Sequence, residues 1–335
     1  MSRWLKRIGL ITLLLFAVAA LMAVFIRYQG IQYLAVYSGK GLARDLPTIN
    51  AYPTQNNGGT NTCTSEAINV LTYNVEYGSE FIESMAARFR DGNTGGALPW
   101  SVRLPEIRER IAGYSPDLIG LQETHTDTDI AAIVPLTQYT LVSYHLANFH
   151  YGDAALLFKT DRFELLDSGQ IWLGPNPKLP MSFGFRPLAM IRYTNWAMLR
   201  DKNTGFTFMF VNTHFDNAGA NKEPSAILFR EQIAKLAKGM PMIVTGDFNT
   251  TATTERYRRF TGADDNPPLL RNAYELAGKP PTATEFHPDR RIDHILAGGP
   301  CKVKAEIWFI DPRPLKNGQR MSDHDPIVAR LRFTP

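Results

Sequence analysis

Pro241-Met-Ile-Val-Thr-Gly-Asp-Phe-Asn249 is the stretch that decides how this chain is read. Met242, Ile243 and Val244 make a short apolar run, bounded by Pro241 and Gly246, that reads as a buried strand. Side chains alternate along an extended chain, so Asp247 and Asn249 project to one side at the strand's carboxyl end. Asp247 is a carboxylate able to bind a metal or take a proton. Asn249 is a neutral amide able to donate to an anion. A capped turn explains the same pair, because Asp and Asn favour turns; the polar clusters elsewhere weigh against so plain a reading.

Five further segments place polar groups where apolar strands end. Leu71-Thr-Tyr-Asn74 stops on Asn74, and Asp117-Leu-Ile-Gly-Leu-Gln-Glu123 on Glu123. Phe210-Val-Asn-Thr-His214 sets Asn212 and His214 on one side of a strand. Arg291-Ile-Asp-His294 puts Asp293 inside an apolar run, and Met321-Ser-Asp-His-Asp-Pro326 leads with Asp323 and His324 into the last strand. Taken singly, each has a structural explanation, since a strand-end acid is usually solvated and a lone His usually a satisfied structural group. Together they are harder to dismiss, because a buried carboxylate needs a metal or a cation as partner. Carboxylate and amide oxygens without a thiolate suit a hard divalent ion such as Mg²⁺, with Mn²⁺ or Ca²⁺ as substitutes. Two histidines and two asparagines supply donors for an oxyanion. This is the inventory that phosphoester hydrolysis requires.

Working outward, strands are expected at 68 to 74, 117 to 122, 139 to 144, 154 to 159, 163 to 172, 196 to 200, 206 to 213, 242 to 246, 292 to 297, 303 to 310 and 327 to 333. Helices are expected at 104 to 114, with Ile107 and Ile111 on one face, and at 225 to 238, with Ile227, Phe229, Ile233 and Leu236. Strands so far outnumber helices that two packed sheets with flanking helices fit better than a doubly wound nucleotide fold.

The amino terminus reads differently. Arg3, Lys6 and Arg7 precede residues 8 to 26, which carry no charge and have the length of one membrane-spanning helix. Residues 1 to 27 are expected to be an uncleaved anchor with the remainder outside; cleavage near Ala17-Val-Ala19 would instead make a secreted protein. The expected location is thus a bacterial inner membrane, crossed once, with a periplasmic or extracellular domain and a lipid bilayer partner. Residues 28 to 66, rich in Pro, Asn, Gly and Thr towards their end, read as a stalk. Residues 67 to 335 read as one domain, expected to act as a monomer.

Lys and Arg total 36 against 32 Asp and Glu, and Arg3, Lys6, Arg7 and Arg27 account for the whole excess. The rest is formally neutral, so nucleic acid is a partner that charge does not indicate. Cys63 and Cys301 are the only cysteines. They form one disulfide in an oxidising compartment or remain two thiols; their spacing fits no zinc motif.

In the order TYN, LQE, NTH, GDFN, IDH and SDH, these segments resemble the endonuclease/exonuclease/phosphatase superfamily, the deoxyribonuclease I-like group; the stretch from Leu166 to Leu199 looks most like its bacterial membrane-anchored extracytoplasmic branch. The resemblance covers residues 67 to 335. It implies an α/β (α+β) four-layer sandwich, two mixed β-sheets face to face with helices outside. It implies a metal-dependent phosphoesterase acting on nucleic acid, a phospholipid head group or a smaller phosphoester. By motif, Glu123 resembles the principal metal ligand, assisted by Asn74 and Asp323. Asp247 resembles the group that orients or deprotonates water, and Asn249 its phosphate-contacting neighbour. His214 and His324 resemble the pair that neutralises the phosphate, with Asp293 positioning His324. Two positions depart from the pattern: His294 stands where an aromatic is usual, and Asp325, beside His324, makes that environment more acidic than expected. A binding module that has lost hydrolysis is the rival, disfavoured because every matched position is filled.

Overall fold

Alternation between two faces explains why these strands stack into layers. In β1 (Ile68–Gly78) Ile68 and Val70 face one apolar cluster while Leu71, Tyr73 and Val75 face another. A strand buried on both faces reads as a nearly continuous apolar run, which is why β1, β2 (Leu118–Thr124), β7 (Thr207–His214) and β8 (Met242–Asp247) are legible in the sequence. The computed structural model describes residues 3–29, 63–79, 98–146, 149–178, 184–185, 191–217, 219–280 and 291–335.

Two six-stranded mixed sheets result. The first runs β11 (Lys302–Ile310), β12 (Ile327–Thr334), β1, β2, β4 (Phe149–Lys159), β3 (Tyr139–Leu146). The second runs β5 (Phe163–Trp172), β6 (Tyr193–Asp201), β7, β8, β10 (Asp293–Gly298), β9 (Arg271–Asn272). Each holds one parallel pair, β1 with β2 and β7 with β8, flanked by antiparallel neighbours. Between the sheets lie Ile68, Val70, Leu118 and Phe158 from one and Phe208, Phe210, Ile243 and Ile295 from the other.

Outside the first sheet, α2 (Trp100–Tyr114) and α3 (Asp127–Ile133) bury Trp100, Ile107, Ile111 and Ile130 against Leu71, Tyr73 and Leu121. Outside the second, α4 (Gly219–Ala237) and α5 (Glu255–Thr261) bury Phe229, Ile233, Leu236 and Phe260 against Val211 and Val244. The four-layer sandwich is the fold that the pattern implies. Every expected strand is present. Ile227 departs from its expected helical face: it is 41% exposed, while Phe229, Ile233 and Leu236 are buried. The short α3, α5, β9 and α6 (Ala273–Leu276) escape notice because none is long enough to show periodicity.

Near the carboxyl ends of the central strands the space between the sheets turns polar. Gln122 Nε2 donates to Asn212 Oδ1 (2.7 Å), Thr245 Oγ1 donates to the same oxygen (3.0 Å), and Asn212 Nδ2 donates to the carbonyls of Leu121 (3.0 Å) and Ala155 (2.8 Å). The sheets come so close here that a Cβ on Gly120 would lie 2.2 Å from Thr245 Oγ1 and 2.4 Å from Asn212 Oδ1. Buried amides need such partners. Asn212 therefore fastens one sheet to the other.

Cys63 and Cys301 are joined across 238 residues, which settles the alternative left open by the sequence in favour of the disulfide. The amino-terminal expectation is corrected. Helix α1 spans Arg3–Gln29, but among the described residues no helix is long and apolar enough to cross a membrane. The single-pass inner-membrane location, the outward-facing domain and the bilayer contact fall with it. Of the expected stalk, residues 30 to 62 lie outside the described residues.

Candidate active site

Alternation brings most of the singled-out residues to one place. The inward set of β1 continues from Ile68 and Val70 to Asn74, that of β7 from Phe208 and Phe210 to His214, and that of β8 from Ile243 to Asp247. His214 lies in register with Asp247 on parallel neighbours, and Asp293 opposite Asp247 on an antiparallel one. Glu123 breaks the rule. By alternation it belongs to the helix side with Leu121, but its backbone is left-handed (φ 59°), and this turns the side chain towards Asn74.

Asn74 is wholly buried and bridges the two sheets: its Nδ2 stands 3.1 Å from Glu123 Oε1 and 3.1 Å from Asp247 Oδ2. The other oxygen of Glu123 accepts from the Tyr77 backbone N–H (3.2 Å). Around Asp247 Oδ2 two imidazoles converge, His214 Nε2 at 3.4 Å and His324 Nε2 at 3.7 Å. Behind each imidazole stands a carboxylate. His324 Nδ1 donates to Asp293 Oδ2 (2.7 Å), and His214 Nδ1 to Asp153 Oδ1 (2.8 Å).

Charge follows from these pairings. Burial works against a protonated His324, but Asp293, then Asp247 and Asp323, outweigh it and push the imidazole up to about 10. Burial raises the Asp293 carboxyl to about 6 against the opposing pull of His324. At neutral pH the pair is therefore a carboxylate and an imidazolium. His214 is also raised: burial and Arg192 oppose its charge, and Asp153 and Asp247 prevail. Burial would raise Asp153, but Arg192 and His214 hold it well below the usual carboxylate range. The acidity around His324 comes chiefly from Asp293, then Asp247 and Asp323; Asp325 also feels the His324 charge, but burial pushes its own carboxyl up.

Asp247, Asp293 and His324 each bring one donor atom within 4.8 Å of the others, close enough to hold a cation. An imidazolium, however, donates on both nitrogens and cannot ligate. Glu123 offers a better start, since its described partners are neutral N–H groups. Asp323 is joined to this region through Glu76, whose carboxylate accepts from the Asp323 N–H (2.9 Å), and its Oδ1 lies 3.9 Å from His324 Nε2.

Asp247 and Asn249 make the turn that the plainer reading offered. Asn249 is left-handed (φ 46°), its N–H donates to Asp247 Oδ1 (2.8 Å), and its amide donates to Phe215 O (2.9 Å). His294 is separate from the cluster. It is wholly buried beside Phe248 and Tyr257, donates from Nε2 to Thr250 O (2.9 Å) and accepts at Nδ1 from Asn272 Nδ2 (3.2 Å).

Sequence reading missed Glu76, Asp153 and Arg192. Glu76 follows Asn74 by two and so shares its face, a signal that was present. Asp153 precedes the apolar stretch of β4 and Arg192 that of β6; each is a charge at the mouth of a buried strand, and their salt bridge is what permits burial.

Residues 71–324 match the model of the Endonuclease/Exonuclease/phosphatase family. The chain belongs to that family. A curated relative is the CCR4-Not complex 3'-5'-exoribonuclease subunit Ccr4 of Debaryomyces hansenii, 23% identical over 369 residues; the match covers 90% of this chain and 43% of that protein. Among solved structures, the endonuclease/exonuclease/phosphatase from Bacteroides vulgatus shares 24% identity with a TM-score of 0.63, over 80% of this chain and 100% of that one. The mannosyl-6-phosphatase of Bacteroides thetaiotaomicron shares 23% identity with a TM-score of 0.59, over 79% of this chain and 99% of that one. Both structural likenesses speak for the fold.

Proposed function

We propose that residues 67 to 335 form the catalytic unit of a divalent-metal-dependent hydrolase of phosphoester bonds. The observation that carries this reading is the convergence of His214 and His324, each backed by an aspartate, on one oxygen of Asp247. Two imidazole N–H groups aimed at one point offer what a phosphate gains when it becomes five-coordinate: donors already oriented, needing no rearrangement as charge builds. Asp247, between them, takes the proton from an attacking water. As the bond from water to phosphorus forms and the ester bond breaks, the leaving oxygen takes up a proton from the solvent, His214 and His324 donate to the phosphate oxygens, Asp293 and Asp153 keep the rings aimed, and Asn249 adds a neutral donor.

Glu123, with Asn74 and Asp323, would hold a hard cation such as Mg²⁺. The fit rests on carboxylate oxygens without a thiol and on a Glu123 carboxylate whose described partners, Asn74 and Tyr77, bring no cationic charge; Asn74 would join through its amide oxygen, which accepts from the Glu76 N–H (3.0 Å) in this structure. The cation supplies positive charge against the phosphate oxygens.

The relatives act on quite different esters, one named an exoribonuclease subunit and another a mannosyl-6-phosphatase. Formal neutrality of this chain beyond residue 27 favours a small phosphoester over a long polyanion, which is bound chiefly through basic surface. A panel of phosphodiesters and phosphomonoesters assayed with Mg²⁺, beside Asp247→Asn, tests both points. Hydrolysis abolished by D247N supports the reading; no hydrolysis of any ester by the wild type leaves the binding-module alternative.

A further inference from the structure

Arg103 lies on α2, on the side of the first sheet away from the second, and is wholly buried. Its guanidinium reaches three segments of chain. Nε donates to Leu98 O (2.6 Å), Nη1 to Val75 O (2.7 Å) and Met321 O (2.8 Å), and Nη2 to Glu76 O (2.6 Å), with Trp100 stacked 5.2 Å from its centre. Four carbonyl dipoles thus answer one buried charge.

Three of those carbonyls, of Val75, Glu76 and Met321, belong to the two turns that carry Asn74, Asp323 and His324. Glu76 and Tyr77 are both left-handed (φ 50° and 51°), a conformation that residues with side chains keep only where surroundings enforce it. That turn aims the Tyr77 N–H at Glu123 Oε2 and the Glu76 carboxylate at the Asp323 N–H. On the other side, Met321 precedes Ser322, whose hydroxyl donates to Asn74 O (2.8 Å) and accepts from the His324 N–H (3.1 Å). One planar group therefore fixes the gap between residues 74 to 77 and residues 321 to 324. Lysine, with three donors on a single nitrogen, cannot span it.

We propose that Arg103 is a positioning residue for the reaction: by clamping both turns from behind, it sets where His324 stands relative to Asp247. This rests on the hydrolase reading above. The test compares Arg103→Lys and Arg103→Met with Ile107→Ala, a fully buried neighbour one turn along α2 that faces only the apolar cluster. Three quantities are measured on each: kcat and KM, the thermal midpoint, and the ¹⁵N-histidine spectrum of the metal-free protein.

Because a misplacement of about 1 Å costs on the order of 100-fold, both Arg103 variants should lose roughly 10-fold to 100-fold in kcat. KM should stay within about threefold, and the His324 signals should shift or split. Ile107→Ala should lower the midpoint and leave kcat and the His324 signals as they are. If R103M fails to fold, R103K carries the test, since it keeps the charge and most of the length. Wild-type kcat and an unchanged His324 spectrum in R103K would overturn the proposal, as would unfolding of both Arg103 variants or a loss of kcat shared by all three in step with their midpoints. A wild type that hydrolyses no phosphoester would sink the hydrolase reading alone, because the spectra still report on Arg103.

Discussion

Replacing His294 by glutamine should make the protein markedly less sensitive to acid. The ring is wholly buried, donates from Nε2 to Thr250 O and accepts at Nδ1 from Asn272. A second ring proton would point at the Asn272 amide, itself a donor. Burial first, and the nearby charge of Arg291 second, bring the imidazole down to about 3. An unfolded His titrates near 6.5, so between these values the unfolded chain binds a proton that the folded chain refuses. Stability is therefore complete above about pH 6.5 and declines as the pH falls towards 3. At pH 5, about 1.5 pH units below the unfolded value, the loss is about 2 kcal/mol, taking about 1.4 kcal/mol per unit. Glutamine does not titrate and can still offer one donor and one acceptor. Urea unfolding of wild type and His294→Gln at pH 7.5 and pH 5.0 gives four free energies, and other titrating groups cancel between the proteins. The wild type should lose about 2 kcal/mol more than the variant between the two pH values. Equal losses would mean that His294 takes up its proton in the folded state, and the reasoning would be wrong.

Glu123→Gln keeps shape but removes a charge, so its rate should fall and partly recover at high Mg²⁺; a rate indifferent to Mg²⁺ would remove Glu123 from the metal site. His324→Ala should lower kcat by about 100-fold with little change in KM and no rescue by metal, because it takes away a group that meets the phosphate mainly in the transition state; unaltered turnover on every ester would refute the assignment. Asp153→Asn leaves Arg192, 9% exposed, without its carboxylate, and should cost about 3–5 kcal/mol by denaturant titration in addition to misaiming His214. Reducing the Cys63–Cys301 bond, which closes a 238-residue separation, should lower stability by about 5 kcal/mol on the chain-entropy account; coincident unfolding curves with and without reductant would count against it.

The sheets were legible because their strands are buried on both faces, so hydrophobicity and length alone mark them. Residues such as Asn74, His214 and Asp247 were legible because each stands where an apolar run stops. The supporting partners were not. Asp153 and Arg192 come from β4 and the start of β6, 39 residues apart, and only the folding of the two sheets brings them to His214. Arg103 stands just ahead of the helix expected at 104 to 114, and nothing local reveals that three distant carbonyls, of Val75, Glu76 and Met321, await it. Glu123 stands out in the sequence as a strand-end acid, yet strand alternation would have aimed it at the helices; the left-handed turn that redirects it has no glycine to announce it. For His294, the sequence flagged an unusual residue without telling whether it joined the cluster or lined the core.

The residues that open and close the sandwich lie side by side: the Ser65 N–H donates to Phe333 O, and the Phe333 N–H to Ser65 Oγ. From Ile68 to Asn74 the chain then runs the length of a strand, roughly 20 Å at 3.3 Å per residue, before reaching the site. The described chain thus enters the sandwich at the end remote from its chemistry. A pull at residue 63 would, without the disulfide, bear on β1 and strip it from β12 and β2, taking Asn74 along. With Cys63 joined to Cys301, the load passes instead through a covalent bond into the corner ahead of β11. The molecule can be held taut by its amino-terminal side while the strand that carries Asn74 bears none of the tension.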